Sequence, residues 1–398
     1  MKILAISTYY KPIKPGYGTR TPEIIIDSTA KLGNDVTVLT GIVPQDMISD
    51  SKFSKNEHTE KLGNGTVTTK RLWIPTSGHH KPFRRSIIYI MFVWSCFFKI
   101  LFFRDFDIVL GLFPFPPFLI PLEFLAKLKG KKFYLHQGDL FPDTVIDFQI
   151  VKNSILVKFL KKISMISFNL ADIIGVNNLA TKEGMKKYVN QKEKLKYLEL
   201  AIDTDIFTIV EKTKNNKFSV LYNGVFGPAY DFDLILDAAK KLEKYDIDFI
   251  IAGQGELESH IKTGIDKRKL TNVQVKSPVK KISDLISRIN NADLTILTLV
   301  PSDVSKTPHP SKIFEYMACG KPVICAGGGA IDDIFERSGA GIIVPPGDLE
   351  KFTSSILHLY NNRDVLDKMG ENARKYAVEN HSMDVYMKNF SKILDSIS

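Results

Sequence analysis

A chain of 398 residues, 44% hydrophobic and 25% charged, has the size for two globular domains with separate cores and excludes a disordered or fibrous protein. Its three cysteines, Cys96, Cys319 and Cys325, are odd in number and far apart, which excludes a disulfide framework or Cys-based zinc site and fits a reducing compartment. Residues 1–200 hold 29 Lys and Arg against 17 Asp and Glu (+12), and residues 201–398 hold 25 against 27 (−2); the basic half fits an anionic partner, although charge alone does not separate this from a basic soluble surface.

The chain opens with "KILAIST", too short for a secretory h-region and followed by Lys11 and Pro12, so it reads as a first buried strand. The loop "KPGYGTR" leads into "TPEIIIDSTAKLGN", where Thr21 is placed to cap a helix, Pro22 takes its first position and Gly33 closes it. Apolar runs "DVTVLTG", "VTTKRLWI", "FDIVLGLFP", "KKFYLHQGD" and "ADIIGVNN" continue as strands. From about residue 203 the rhythm restarts with "FSVLYNGVF", a helix in "DFDLILDAAKKLEKY", then "IDFIIAGQGE", "VQVKSPV", "ADLTILTLV", "KPVICAGGG" and "AGIIVPPGD". Strands separated by helical stretches predict parallel sheets in βαβ units. Two such series predict an α/β protein of two doubly wound domains with a cleft between them, ligands sitting beyond the carboxyl ends of the strands.

"SIIYIMFVWSCFFKILFF", residues 86–103, is apolar with one charge, Lys99. Strands on both sides argue against its crossing a bilayer. Its flanks, Lys81, Arg84, Arg85 and Arg104, favour a helix lying in the lipid boundary, with Phe92, Phe97, Phe98 and Phe102 toward lipid, over a plain core helix.

Several residues stand out as candidates for chemistry. In "PSKIFEYMACGKP" Ser311 is placed to cap a helix that starts near Lys312 and carries Glu315 one turn in. "KPVICAGGGAIDDI" is a strand, a glycine turn through Gly328 and Gly329, and a second helix start. "YLHQGDLFPD" puts His136 and Asp139 at the end of a strand, each readable as a site residue or as a core histidine and a turn cap. "DFD" at 105 and 231, "DTD" at 203 and "DID" at 246 read as caps and turns rather than metal ligands.

"PSKIFEYMACGKPVICAGGGAIDDIFERSGAGIIVPPGD", with "LYNGVFGPAYDFDLILDAAKKL" and "IIAGQGEL", resembles the donor-binding region of retaining glycosyltransferases of family 4, closest to the bacterial branch that builds O-antigen, capsule and exopolysaccharide. The resemblance implies the GT-B fold: an acceptor-binding, membrane-facing domain at 1–203, a nucleotide-sugar donor domain at 204–379 and a carboxyl-terminal helix, 380–398, packing back on the first. It implies that Glu315 grips the nucleotide ribose. The family's partner glutamate, eight residues earlier, is replaced by Thr307, and the Arg and Lys that usually follow the first strand of the donor domain are absent from "NGVFGPAYD". Lys312 and Arg20 are then the candidates to neutralise the diphosphate. Gly16, Gly18, Gly224, Gly227, Gly328 and Gly329 would let backbone approach the donor, Ser311 would line it, Ser277 and Val279 would meet the base, and Asp139 or His136 would sit beside the donor sugar.

The implied reaction moves a sugar from a nucleotide-diphosphate donor, expected to be a UDP-sugar, to a hydroxyl of a lipid-linked saccharide acceptor. It retains configuration, needs no cofactor and no essential metal, and takes place in the cytoplasm at the inner, anionic face of the membrane. Nucleic acid is not an expected partner. A sugar-nucleotide 2-epimerase shares the architecture but has no use for the apolar, basic 81–104 segment, and a non-catalytic nucleotide- or membrane-binding adaptor would bind donor without turnover.

Overall fold

The computed structural model describes residues 1–11, 21–42, 57–75, 82–113, 115–147, 151–212, 217–301 and 311–397. The chain divides into two compact units: residues 1–200 with 386–398, and residues 201–385.

The first unit holds β1 (Lys2–Ser7), β2 (Asp35–Gly41), β3 (Glu57–Leu62), β4 (Gly65–Leu72), β5 (Ile108–Leu112), β6 (Lys132–Gln137), β7 (Ile173–Val176) and β8 (Leu195–Tyr197). They lie in the order β3-β4-β2-β1-β5-β6-β7-β8, parallel except for β3, which returns antiparallel on β4. β5 and β7 are buried at every residue, as parallel strands covered on both faces must be. β3 reads "EHTEKL" and alternates exposed with half-buried positions; as a polar edge strand it has no apolar run to announce it.

The second unit holds β9 (Phe218–Val225), β10 (Ile247–Gln254), β11 (Val273–Lys276), β12 (Leu294–Thr298), β13 (Val323–Ala326) and β14 (Gly341–Val344). All are parallel, in the order β11-β10-β9-β12-β13-β14. In each unit the winding reverses beside the first strand, β1 or β9, which opens a crevice for ligands past the carboxyl ends.

The helix Thr21–Lys31 ends at Gly33, whose φ of 87° supplies the left-handed turn that L-residues resist. The apolar segment forms the helix Pro82–Phe102 between β4 and β5 of one sheet, which makes it a crossover helix. Ile88, Phe92, Cys96 and Ile100 join the core at four-residue steps. The offset stripe is out in solvent, with Trp94 48%, Phe98 58% and Phe102 84% exposed. Phe92, expected among the lipid-facing aromatics, is instead turned inward by the helical period and fully buried.

Of the acidic pairs expected to cap turns, those at 203 and 231 do so, whereas those at 105 and 246 pair instead with lysines on other strands and loops. Asp105 pairs with Lys2, and Asp107 accepts the Lys2 amide. Asp203 caps a turn at Asp205 and Ile206, and Asp231 caps the helix Phe232–Lys241. Asp246 and Asp248 pair with Lys217. Residues 386–397 belong to the first unit, where Phe390 packs edge-on against Tyr134, with ring centroids 5.6 Å apart.

Candidate functional site

The carboxyl end of β9, beside the reversal of winding, carries Tyr222, Asn223 and Gly224. The short helix Lys312–Ala318 delivers Lys312 to this point. A Cβ on Gly224 would lie 2.4 Å from Lys312 Nζ, so the missing side chain is what makes room for the ammonium. Nζ donates to the Tyr222 hydroxyl at 3.0 Å, which donates in turn to the Val225 carbonyl at 2.7 Å. The rings of Tyr222 and Tyr230 lie 4.5 and 4.0 Å from Nζ at their centroids. Aromatic faces attract a cation, but only partly replace the water it has given up. Burial pushes the Lys312 amine down to about 7, with half-buried Glu315, one turn on, acting in the opposite sense.

Two further ties fix this end of the sheet. The Tyr316 hydroxyl accepts from the Asn223 amide and donates to the Asn223 carbonyl, both at 2.9 Å. Arg288, from the helix Ile282–Asn291, donates to Asn223 Oδ1 at 3.2 Å and to the Ser277 carbonyl at 3.0 Å. The guanidinium thus braces the ends of β9 and β11, and Ser277 and half-buried Val279 follow in the same loop. Tyr222, Tyr230, Tyr316 and Arg288 escape the reading of the sequence, because single tyrosines in a strand, a loop and a short helix, and a lone arginine on an amphipathic helix, carry no motif.

The glycines divide by the neighbour each one meets. Gly253 and Gly255, both at positive φ, lie so close to the backbone of Gly224 and Phe226 that a Cβ would come within 1.8 and 2.5 Å of it; "AGQGEL" is tight because chain packs on chain. At Gly227 the nearest neighbour of a Cβ among the described residues is Val225, at an ordinary contact distance of 3.8 Å. At the second helix start Gly329 has φ 86°, and its amide donates to the Asp332 carboxylate at 2.9 Å. Gly328 faces the same carboxylate, 3.5 Å from where its Cβ would stand. That helix start is therefore capped by an acid of its own, and an arriving phosphate would compete with it. Ser311 is expected to cap the helix from Lys312; instead it is itself in helical conformation and makes no side-chain cap. It serves through its carbonyl, which accepts from the Phe314 amide at 3.1 Å.

In the first unit His136 lies in β6, with both ring nitrogens buried and without a hydrogen-bond partner among the described residues, and burial pushes its pKa down to about 4. The imidazole is therefore neutral. Asp139 follows in the loop; its residue surface is exposed, while the neighbouring protein pushes its carboxyl up from the usual range. Gln137 Nε2 holds the Asp139 carbonyl at 2.5 Å. Gly16, Gly18, Arg20 and Thr307 lie outside the described residues.

Residues 203–376, nearly all of the second unit, match the family model described as Glycosyl transferases group 1. This segment is a group 1 glycosyl transferase domain. Curated relatives extend the likeness beyond it: the O-antigen chain mannosyltransferase C of Escherichia coli is 23% identical over 74% of this chain and 77% of its own length. The putative colanic acid biosynthesis glycosyl transferase WcaI of Escherichia coli K12 is 24% identical over 98% of both chains. Among solved structures, Anabaena HepE in complex with UDP superposes with a TM-score of 0.71 over 100% of both chains at 14% identity, which establishes the shared GT-B architecture of two Rossmann-like domains. The protein is a glycosyltransferase, and the Lys312 cluster lies inside its glycosyl transferase domain.

Proposed function

We propose that the protein is a retaining glycosyltransferase that moves a hexosyl or N-acetylhexosaminyl group from a UDP-sugar to a hydroxyl of a lipid-linked saccharide, in polysaccharide assembly at the inner face of the cytoplasmic membrane. The observation that carries this reading is the Lys312 ammonium, held at Gly224 at the carboxyl end of β9, with Glu315 one turn on. A diphosphate there would add an anion to the two tyrosine rings and the Tyr222 hydroxyl that hold the ammonium among the described residues, and the Glu315 carboxylate would accept from the ribose hydroxyls.

In the reaction the bond between the anomeric carbon and the diphosphate oxygen breaks, its electron pair staying on the diphosphate. The acceptor oxygen forms the new bond on the same face, and its proton passes to the leaving phosphate. Charge grows on the diphosphate as the transition state forms, so a fixed cation aimed there lowers the barrier. Arg20 is the second candidate for that task, and Asp139 or His136 is proposed to stand beside the sugar; a neutral imidazole would serve there as a hydrogen-bonding group rather than a cation. No essential metal enters the scheme.

A neighbour in fold was solved with UDP and a curated relative is a mannosyltransferase. The deciding experiment is therefore a thermal-shift panel of UDP- and GDP-sugars, followed by product analysis with a lipid-linked acceptor. Donor-dependent stabilisation followed by transfer with retained configuration supports the proposal. An epimer formed from donor alone would replace it with the epimerase, and binding without turnover with the adaptor.

A further inference from the structure

Helix Pro82–Phe102 is not alone on its face of the first unit. Helix Ile120–Leu128 packs against it on one side and against helix Ser154–Leu170 on the other. Helix Ile120–Leu128 exposes Phe124 and Leu128, and helix Ser154–Leu170 exposes Ile155 (77%), Phe159 (57%) and Ile166 (47%). Each of these helices buries its other side: Leu122, Leu125 and Ala126 in one and Phe168 in the other join the same core as Phe92 and Cys96. Three neighbouring helices therefore present outward the large apolar side chains that a soluble surface normally scatters.

Their charge is one-sided. Helices Pro82–Phe102 and Ser154–Leu170 contain no acidic residue, and Glu123, the single acid of Ile120–Leu128, is 1% exposed and bonded to Ser167. The same helices carry Arg84, Arg85, Lys99, Lys127, Lys158, Lys161 and Lys162. Apolar side chains interleaved with cations, and no exposed carboxylate over three helices, match an anionic bilayer: the rings enter the acyl boundary while the lysines meet headgroup phosphates. A protein partner would need an equally one-sided acidic surface.

We propose that the membrane-docking surface is this three-helix face, with Ser154–Leu170 as a second insertion element that the sequence gives no cause to single out. The proposal rests on the membrane reading above and extends it from one helix to three. The test uses the full chain with vesicles of phosphatidylcholine, with and without phosphatidylglycerol. The variants are Ile155→Ser/Phe159→Ser/Ile166→Ser, Lys158→Glu/Lys161→Glu/Lys162→Glu and Phe98→Ser/Phe102→Ser, each first shown to keep the native melting temperature and the donor-induced thermal shift.

Each variant is expected to weaken cosedimentation with anionic vesicles by about tenfold or more. The charge-reversal variant should lose its preference for phosphatidylglycerol. Native binding by both variants of Ser154–Leu170, with loss only in Phe98→Ser/Phe102→Ser, would overturn the three-helix surface and leave one-helix docking standing. Failure of the native chain to bind any vesicle would overturn docking altogether, and self-association abolished by the same substitutions would assign the face to a second copy. The donor-induced shift reports the transferase reading separately in every case.

Discussion

Lys312 is the residue on which most of the chemistry turns, and its environment gives it a pH signature. The charged amine is the form that meets a diphosphate, and in the free enzyme it is lost as pH rises through about 7. kcat/KM should therefore fall across neutral pH with an apparent pKa near that value, and Lys312→Arg should remove the inflection. The stability effect has the opposite sense. Because the unfolded lysine keeps its proton up to its ordinary value of 10.5, the unfolded state binds more protons between the two values, so the fold gains stability as pH rises through that window. Lys312→Met should accordingly raise the urea midpoint at neutral pH while turnover collapses, and an unchanged midpoint would show the ammonium to be better hydrated than its setting implies. Glu315→Ala should leave the fold intact and weaken donor affinity tenfold to a hundredfold, from an ionic hydrogen bond worth about 1.5–3 kcal/mol; isothermal titration checks it. Two glycines separate room for chemistry from room for folding. Gly224→Ala pushes against the end of the Lys312 side chain, which can turn aside by rotation, so activity should drop with little change in melting temperature, whereas Gly253→Ala meets the Gly224 carbonyl at 1.8 Å and should lower the melting temperature.

At the scale of elements, a helix with an apolar stripe on each side serves two masters. Phe92 belongs to the core stripe and Phe98 and Phe102 to the outer one. Phe92→Ser should destabilise the protein by roughly 3–5 kcal/mol in chemical denaturation, as emptying a packed phenylalanine site does. Phe98→Ser and Phe102→Ser should leave stability within about 0.5 kcal/mol and act only on vesicle binding. Composition showed an apolar segment here without showing which ring belongs to which stripe. The helical period contains that answer, but the phase is fixed only once β2, β4 and helix Ile120–Leu128 are packed beneath it. The strands missed are those without an apolar run: β3, polar on both faces, and β8, three residues long.

On the scale of the whole molecule, the basic first half predicts a binding energy that salt can screen. Association with anionic vesicles should weaken as ionic strength rises, by up to roughly 1 kcal/mol for each lysine or arginine near the surface, and level off at the apolar contribution. The sequence by itself determined two doubly wound units, the strands with apolar runs, the glycine that closes the first helix and the capping roles of Asp203 and Asp231. These are local matters, set by hydrophobic period, φ restrictions and capping, and neighbouring residues carry them. Only the tertiary structure decided that Lys312 stands at Gly224 between two tyrosine rings, that Arg288 braces two strand ends, and that three helices share one apolar, basic face. Each of these joins residues from separate elements, and the burial that moves the Lys312 amine and the His136 imidazole exists only after those elements have packed, because a charge loses its water only when the chain has closed around it.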